Sequence, residues 1–398
     1  MLGRNFVIVF CVPIFTVFIV VMSLNVYVDP LKLFGDPQPG DQFPIKSFES
    51  IPEHLTLPIV IRNTDNIGTL IVGSSTARYL LDTPSSRVKS SEAAKKLFPH
   101  TPIFNAALSG GTVHMALSVI QHALAFHDIK EIVYVLNFDG LSAKRKVSEN
   151  FLPKQYDGLA GFRSYARILP ILWSSETTAD SLKTIALNRS TTTSTTLTQE
   201  NKGTLSTKQR WLRNTSEYLY PGLYSDFEMT ESEVNAIKKI ITLAKSRNIE
   251  LSIIASPIHP VQMEMIYETG IFKEYSRHLN VLTELCEENK IPLVAFNIYA
   301  PPFSNDFFNS ETEAFGSDLP SFSDGVHFNP PLGMKLSNFL KGHEAPYGGN
   351  FGTRLTSKNF GSYISSLSDN RRSYLHNNKI VNNFVSAVKN ENPRLNKQ

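Results

Sequence analysis

Apolar positions along the chain follow two rhythms. From Phe6 to Val28 no charged side chain interrupts a run dense in Val, Ile and Phe, long enough as a helix to cross a hydrocarbon core of ~30 Å. Pro13 does not break this expectation, because membrane helices tolerate proline. Beyond a Pro-rich connector from Asp29 to about Pro58, short apolar runs alternate with longer stretches of helical period, the pattern of a parallel sheet wrapped by helices. The expected strands are Thr69 to Val72, Ile103 to Asn105, Glu131 to Leu136, Glu250 to Ala255 and Pro292 to Phe296. The expected helices are Thr112 to Phe126, Glu231 to Ser246, Phe272 to Asn289 and Pro331 to Leu340. Several strands are near-continuous apolar runs, as strands buried on both faces are.

These elements divide the chain into an N-terminal transmembrane segment (1–30), a connector (31–64), an α/β body (65–341) and a C-terminal extension (342–398). An interval from about 141 to 230 is too long for a plain crossover, and is expected as an insertion beside the carboxyl edge of the sheet. It carries both tryptophans, Trp173 and Trp211, and a Ser/Thr-rich tract from Ser190 to Thr207 that reads as a mobile loop. A lid and a passive surface excursion both fit it. Asn188 and Asn214 head N-x-S triplets, a pattern frequent by chance. The extension is Asn/Ser-rich and basic, and is expected outside the catalytic unit. Within it Ile380, Val381, Phe384, Val385 and Val388 fall at helical spacing, so a terminal helix docks on the body, on a partner or on anionic lipid.

Composition sharpens this picture. With 41% hydrophobic and 19% charged residues the chain can bury a substantial core, and a net charge of +3 over 398 residues gives no support for nucleic-acid binding. No Ala-x-Ala-like exit follows the first apolar run, which favours an uncleaved signal anchor. Arg4 precedes the run while Asp29, Asp36 and Asp41 follow it, placing the body outside the cytoplasm. Cys11 lies in the span and Cys286 in a helical pattern, so neither an intramolecular disulfide nor a cysteine-pair zinc site is expected. His114, His122 and His127 share one helical segment without carboxylates at ligand spacing and read as ordinary helix residues. No metal or cofactor is expected.

Three short stretches carry chemistry. Ile71-Val72-Gly73-Ser74-Ser75 delivers a serine at the carboxyl end of the first strand, where backbone N–H groups and a helix amino terminus stabilise developing negative charge. Ala77 stands where a G-x-S-x-G elbow would have its second glycine, and a tight turn with a helix cap explains the triplet equally well. Asn105 to Thr112 contains Gly110-Gly111, which let a backbone N–H approach a substrate oxygen, or else simply open a helix. Ser323-Asp324-Gly325-Val326-His327 supplies a histidine fit to take a serine proton and, three residues away, a carboxylate to orient it. A surface turn is the alternative.

In this order the three stretches resemble the SGNH/GDSL hydrolase family. Gly73-Ser74-Ser75 is similar to its first block, with Ser74 replacing the usual aspartate, and Asp324 and His327 match its D-x-x-H block. The resemblance covers roughly 65 to 340 and implies a three-layer α/β/α, flavodoxin-like, five-stranded parallel sheet. It further implies Ser75 as nucleophile, His327 as base, Asp324 as its orienter, and the N–H of Gly110 at the oxyanion. The family's third block, Gly-x-Asn-Asp, is out of step here: the chain reads Leu136-Asn137-Phe138-Asp139-Gly140, which leaves the place of Asn137 open. With the N-terminal anchor, Val28-Asp29-Pro30 and Ser256-Pro257-Ile258-His259, the chain looks more like the anchored relatives of bacterial exopolysaccharide and cell-wall acylation systems. There the chemistry is O-acyl transfer or removal on a polymer. His259 is a candidate substrate contact, or a histidine satisfied by loop backbone. The expected activity is that of a serine esterase or O-acyltransferase on an acylated envelope glycan or a small ester. The alternative is an inactive envelope protein of the same fold that binds glycan or scaffolds a synthesis complex.

Overall fold

The computed structural model describes residues 2–30, 42, 53–81, 92–145, 169–190, 211, 214–219, 223–224, 226–304, 321–343 and 351–391. In chain order the elements are α1 (Leu2–Val28), α2 (Glu53–Asn63), β1 (Thr69–Gly73), α3 (Glu92–Leu97), β2 (Ile103–Asn105), α4 (Val113–Phe126), β3 (Glu131–Leu136) and α5 (Ser175–Ser190). There follow α6 (Glu231–Ser246), β4 (Glu250–Ala255), α7 (Pro260–Glu268), α8 (Phe272–Glu288), β5 (Leu293–Phe296), α9 (Pro330–Leu340), β6 (Gly352–Arg354), α10 (Ser357–Asn377) and α11 (Lys379–Glu391). The chain divides into two compact units, one of Met1–Asp65, Gln121–Phe126 and Asn150–Lys202, the other of Asn66–Ile120, His127–Glu149 and Gly203–Gln398.

The second unit is built on a six-stranded sheet in the order β2-β1-β3-β4-β5-β6. The first five strands are parallel, with Ile71 opposite Val133 and Val133 opposite Ser252, and only β6 runs antiparallel. Leu70, Ile71, Val72, Ile132, Val133, Val135, Ile253 and Ile254 are at most 1% exposed, so the apolar runs are indeed covered on both faces. Helix α6 illustrates how the sequence sets an element. Thr230 and Glu233 form a capping box, a start signal that stabilises a helix by about 1 kcal/mol. Ile237, Ile240, Ile241 and Ala244 then recur at helical spacing on its buried face.

The sixth strand corrects the expectation of five, and the C-terminal segment is not an appendage to this unit. Gly352–Arg354 pairs with β5, which would otherwise be an unpaired sheet edge. Phe351 is fully buried against Phe296, Phe303 and Phe339, with ring centroids 5.2 to 5.7 Å apart. Helix α10 is tied down by Tyr363, whose hydroxyl donates to Phe296 O at 3.0 Å, and by Arg371, which donates twice or more to the buried Glu264 carboxylate of α7. In α11, Val381, Phe384, Val385 and Val388 are buried and Lys389 pairs with Glu268 at 2.6 Å. Of the docking partners expected for this helix, the body is the one seen.

The first unit gathers around α1. The stretch Cys11–Val28 is long and apolar enough to cross a membrane, and its side chains Val12, Ile14, Phe15, Val17, Ile19 and Val20 stay exposed. Toward its end Ile59 of α2 and Leu172 are buried together, with Met22 and Ile171 packed on them. Helix α2 falls in what the sequence suggests is connector. The Ser/Thr-rich tract lies, beyond Ser190, outside the described residues.

Candidate active site

Strand order places the site. The chain leaves β1 toward β2 on one side and later returns to β3 on the other, and such a reversal opens a crevice at the carboxyl ends of the strands, where open α/β sheets take ligands. At these strand ends the backbone is closely packed. Gly73 has φ +151°, and a Cβ there would stand 2.4 Å from Val135 O, so only glycine fits. A Cβ on Gly111 would lie 2.8 Å from Gly73 O and 3.2 Å from Ser74 Cα. These contacts lock the β2 loop onto the turn that presents Ser75, where a 3-10 helix (Ser75–Leu80) begins.

Ser75 Oγ lies 2.7 Å from His327 Nε2, although 252 positions separate the two residues. On the far side of the ring, Nδ1 lies 2.7 Å from Asp324 Oδ2. An ionised carboxylate only accepts, so Nδ1 carries the hydrogen and Nε2 is the acceptor for the serine proton. The histidine loop is held by its own backbone: Phe322 bridges Phe328, Ser323 N–H donates to His327 O at 2.8 Å, and Asn329 N–H to Ser321 O at 2.7 Å. Asp324 Oδ1 accepts from the N–H groups of Val326 and His327 at 2.9 and 2.8 Å. Oδ2 also accepts from Asn214 Nδ2 at 3.0 Å. Burial pushes the Asp324 carboxyl up, but the His327 hydrogen bond and charge and the two backbone donors more than offset this, leaving it below its ordinary value. The Asp324 side chain is 9% exposed and that of His327 25%, so the acid is shielded while the ring remains reachable.

The other expected residues fall around this line. Gly110 sits in the β2 loop at φ +67°, a left-handed turn that glycine adopts without penalty. Arg145 Nη2 stands 3.4 Å from where its Cβ would be, and Arg145 pairs with Asp139. Asn105 Nδ2 donates to Ala77 O at 3.0 Å, bracing the turn after Ser75. Asn137 is buried, and its Oδ1 accepts from Thr76 Oγ1 at 2.7 Å. Thr76 also meets Ser74 and Ser256 hydroxyls at 3.2 and 3.4 Å, which ties together the ends of β1, β3 and β4 beside Ser75. Asn137 therefore lies next to the site with its carbonyl engaged.

His259 stands apart. It is fully buried, its ring Nδ1 caps α7 by accepting from Val261 N–H (3.2 Å), and its backbone N–H donates to Gly325 O at 2.9 Å. Edge contacts with Trp211 and Phe322 enclose the ring, and burial pushes its pKa down to about 3. Fully buried, it supports the Asp324 loop from behind through Gly325, which is the loop-backbone role of the two open to it. His114 pairs with Glu233 at 3.1 Å.

Asn214 and Thr76 are the site residues that sequence reasoning missed. Asn214 is remote by 110 positions and was visible only as the head of a chance-prone triplet. Thr76 directly follows the serine, and a hydroxyl there was a signal available but unused. Scans against protein-family models, curated proteins and solved structures return no match.

Proposed function

We propose that the protein is an SGNH-type serine esterase or O-acyltransferase, anchored by α1 with its body outside the cytoplasm, that acts on an acylated envelope glycan. The observation that carries this reading is the continuous Ser75–His327–Asp324 hydrogen-bond line, 2.7 Å at each step. The strand order 2-1-3-4-5 supports a doubly wound, flavodoxin-like, three-layer arrangement for the sheet.

In this mechanism Ser75 Oγ attacks an ester carbonyl while His327 Nε2 takes its proton. The imidazolium is stabilised by Asp324, which stays ionised because it accepts four hydrogen bonds. The N–H groups of Ser75 and Gly110 receive the oxyanion. His327 returns the proton to the departing alkoxide, leaving an acyl-serine. Water or a sugar hydroxyl then attacks the acyl-serine with His327 again as base, and Ser75 leaves with the proton restored. Hydrolysis of a small activated ester tests the reading: wild type should turn over and Ser75→Ala should not. Equal inactivity of both on every ester tried favours the non-catalytic scaffold instead.

A further inference from the structure

Among the described residues, the large apolar side chains that remain exposed belong to two segments. Eight lie on α1, and the other three are Leu169, Trp173 and Leu182. The two segments touch. Trp173 packs on Phe18 with ring centroids 4.7 Å apart, and Asn25, fully buried in α1, donates to Leu172 O at 2.6 Å. Its carboxamide also meets Thr178 and Ser181 of α5 at 3.1 and 2.7 Å.

Helix α5 turns polar residues inward. Thr177, Asp180, Ser181 and Thr184, at helical spacing, are all fully buried, while Leu182 is 56% exposed and Trp173, just before the helix, 40%. A helix on a protein in water does the reverse. Polar groups turned inward against a neighbouring helix, with apolar ones outward, suit lipid as the outer solvent. Glu176, Lys183 and Arg189 are exposed, which keeps α5 at headgroup level and out of the hydrocarbon centre. Phe18 lies ~15 Å along the axis from Val28, so the Trp173 ring reaches down the anchor to the depth of the acyl chains, while the backbone at Leu172 stays level with Asn25.

We infer that residues 169–182 form a second membrane contact, a lipid-inserted turn and interfacial helix clasped to the anchor. The occupant of their exposed face is the bilayer, because that face continues the bare apolar surface of α1. This rests on the anchor reading, and the test separates the two.

Full-length protein is reconstituted into phosphatidylcholine liposomes with and without acyl-chain nitroxide lipids. Trp173 emission is taken as wild type minus Trp173→Phe, a conservative change at an exposed position. A fluorophore is placed on Cys11, which is exposed while Cys286 is buried with its thiol pushed up to about 12. The expected result is that nitroxide lipid quenches Trp173 emission about twofold or more, aqueous iodide leaves it unchanged, and the Cys11 probe is quenched by lipid nitroxide too. Quenching of Cys11 alone, with Trp173 open to iodide, leaves the anchor standing and overturns the second contact. If neither responds to lipid, both fall. Equal quenching of wild type and Trp173→Phe assigns the signal to Trp211 and overturns the proposal as well.

Discussion

Gly111→Ala probes how backbone packing at the end of β1 holds Ser75, the nucleophile of the proposed mechanism. The new Cβ would stand 2.8 Å from Gly73 O, 3.2 Å from Leu108 O and 3.2 Å from Ser74 Cα. All three are backbone atoms, so no side chain can rotate away, and ordinary contact requires the β2 loop and the Ser74 turn to part by about half an ångström. Overpacking of this kind costs about 1–3 kcal/mol of stability. Misplacing reacting groups by 1 Å costs about 10²-fold in rate, so a shift of half that predicts a loss of about tenfold in kcat/KM on an activated ester. Gly270→Ala is the control. Its φ of +72° makes alanine costly by about 1–2 kcal/mol, yet among the described residues nothing lies within 4 Å of the added Cβ. The paired measurement is a urea unfolding curve and kcat/KM for each variant. Similar destabilisation is expected in both, with the rate loss confined to Gly111→Ala. A Gly111→Ala variant with wild-type kcat/KM would refute the claim that this packing positions Ser75.

Asn214→Ala removes one donor to the ionised Asp324. The Asp324 carboxyl is depressed, so its contribution to stability is present above its unfolded value, ~4, and disappears as pH falls through the folded one. Losing Asn214 should move this acid-side loss to higher pH, seen in urea midpoints against pH, and an unchanged profile would contradict the role given to Asn214. Asn137→Ala should lower kcat/KM by less than about tenfold, and Thr76→Val, which removes the same hydrogen bond together with the longer Ser74 and Ser256 contacts, should lower it at least as much; a loss with Asn137→Ala as deep as that of Ser75→Ala would put Asn137 in the oxyanion hole. Arg371→Leu leaves the Glu264 carboxylate, 2% exposed, without its guanidinium. Stability should fall by about 3–5 kcal/mol in chemical unfolding, and a wild-type midpoint would show that α10 is not held by this pair.

The parallel strands were legible because both faces are buried, which writes an apolar run into the sequence. Glu131–Leu136 and Glu250–Ala255 have the expected bounds. Strand β6 was not legible: Gly352, Thr353 and Arg354 carry no apolar signal, and the strand exists because β5 offers an edge and Phe351 fills an aromatic pocket beside it. Helix α2 was hidden by Pro58 within it, and α5 by a buried face made of Thr177, Asp180, Ser181 and Thr184, which carries no apolar period. At the site, Ser75, Asp324 and His327 were readable because each sits in a short stretch at a strand end or before a helix. Asn214 acts through one hydrogen bond 110 positions away and Thr76 through hydroxyl contacts that reach Asn137 and Ser256, neither of which leaves a local pattern, and of the two roles open to His259 the buried ring fits the loop-backbone one.

The central claim is that Ser75 is an activated nucleophile, and covalent capture tests it most directly. Folded full-length protein is treated with a fluorophosphonate, digested, and the adduct located by peptide mass spectrometry. The account predicts a single phosphonylated residue, Ser75, absent in Ser75→Ala and strongly slowed in His327→Ala. No adduct on Ser75, or one that forms equally fast without His327, would contradict it.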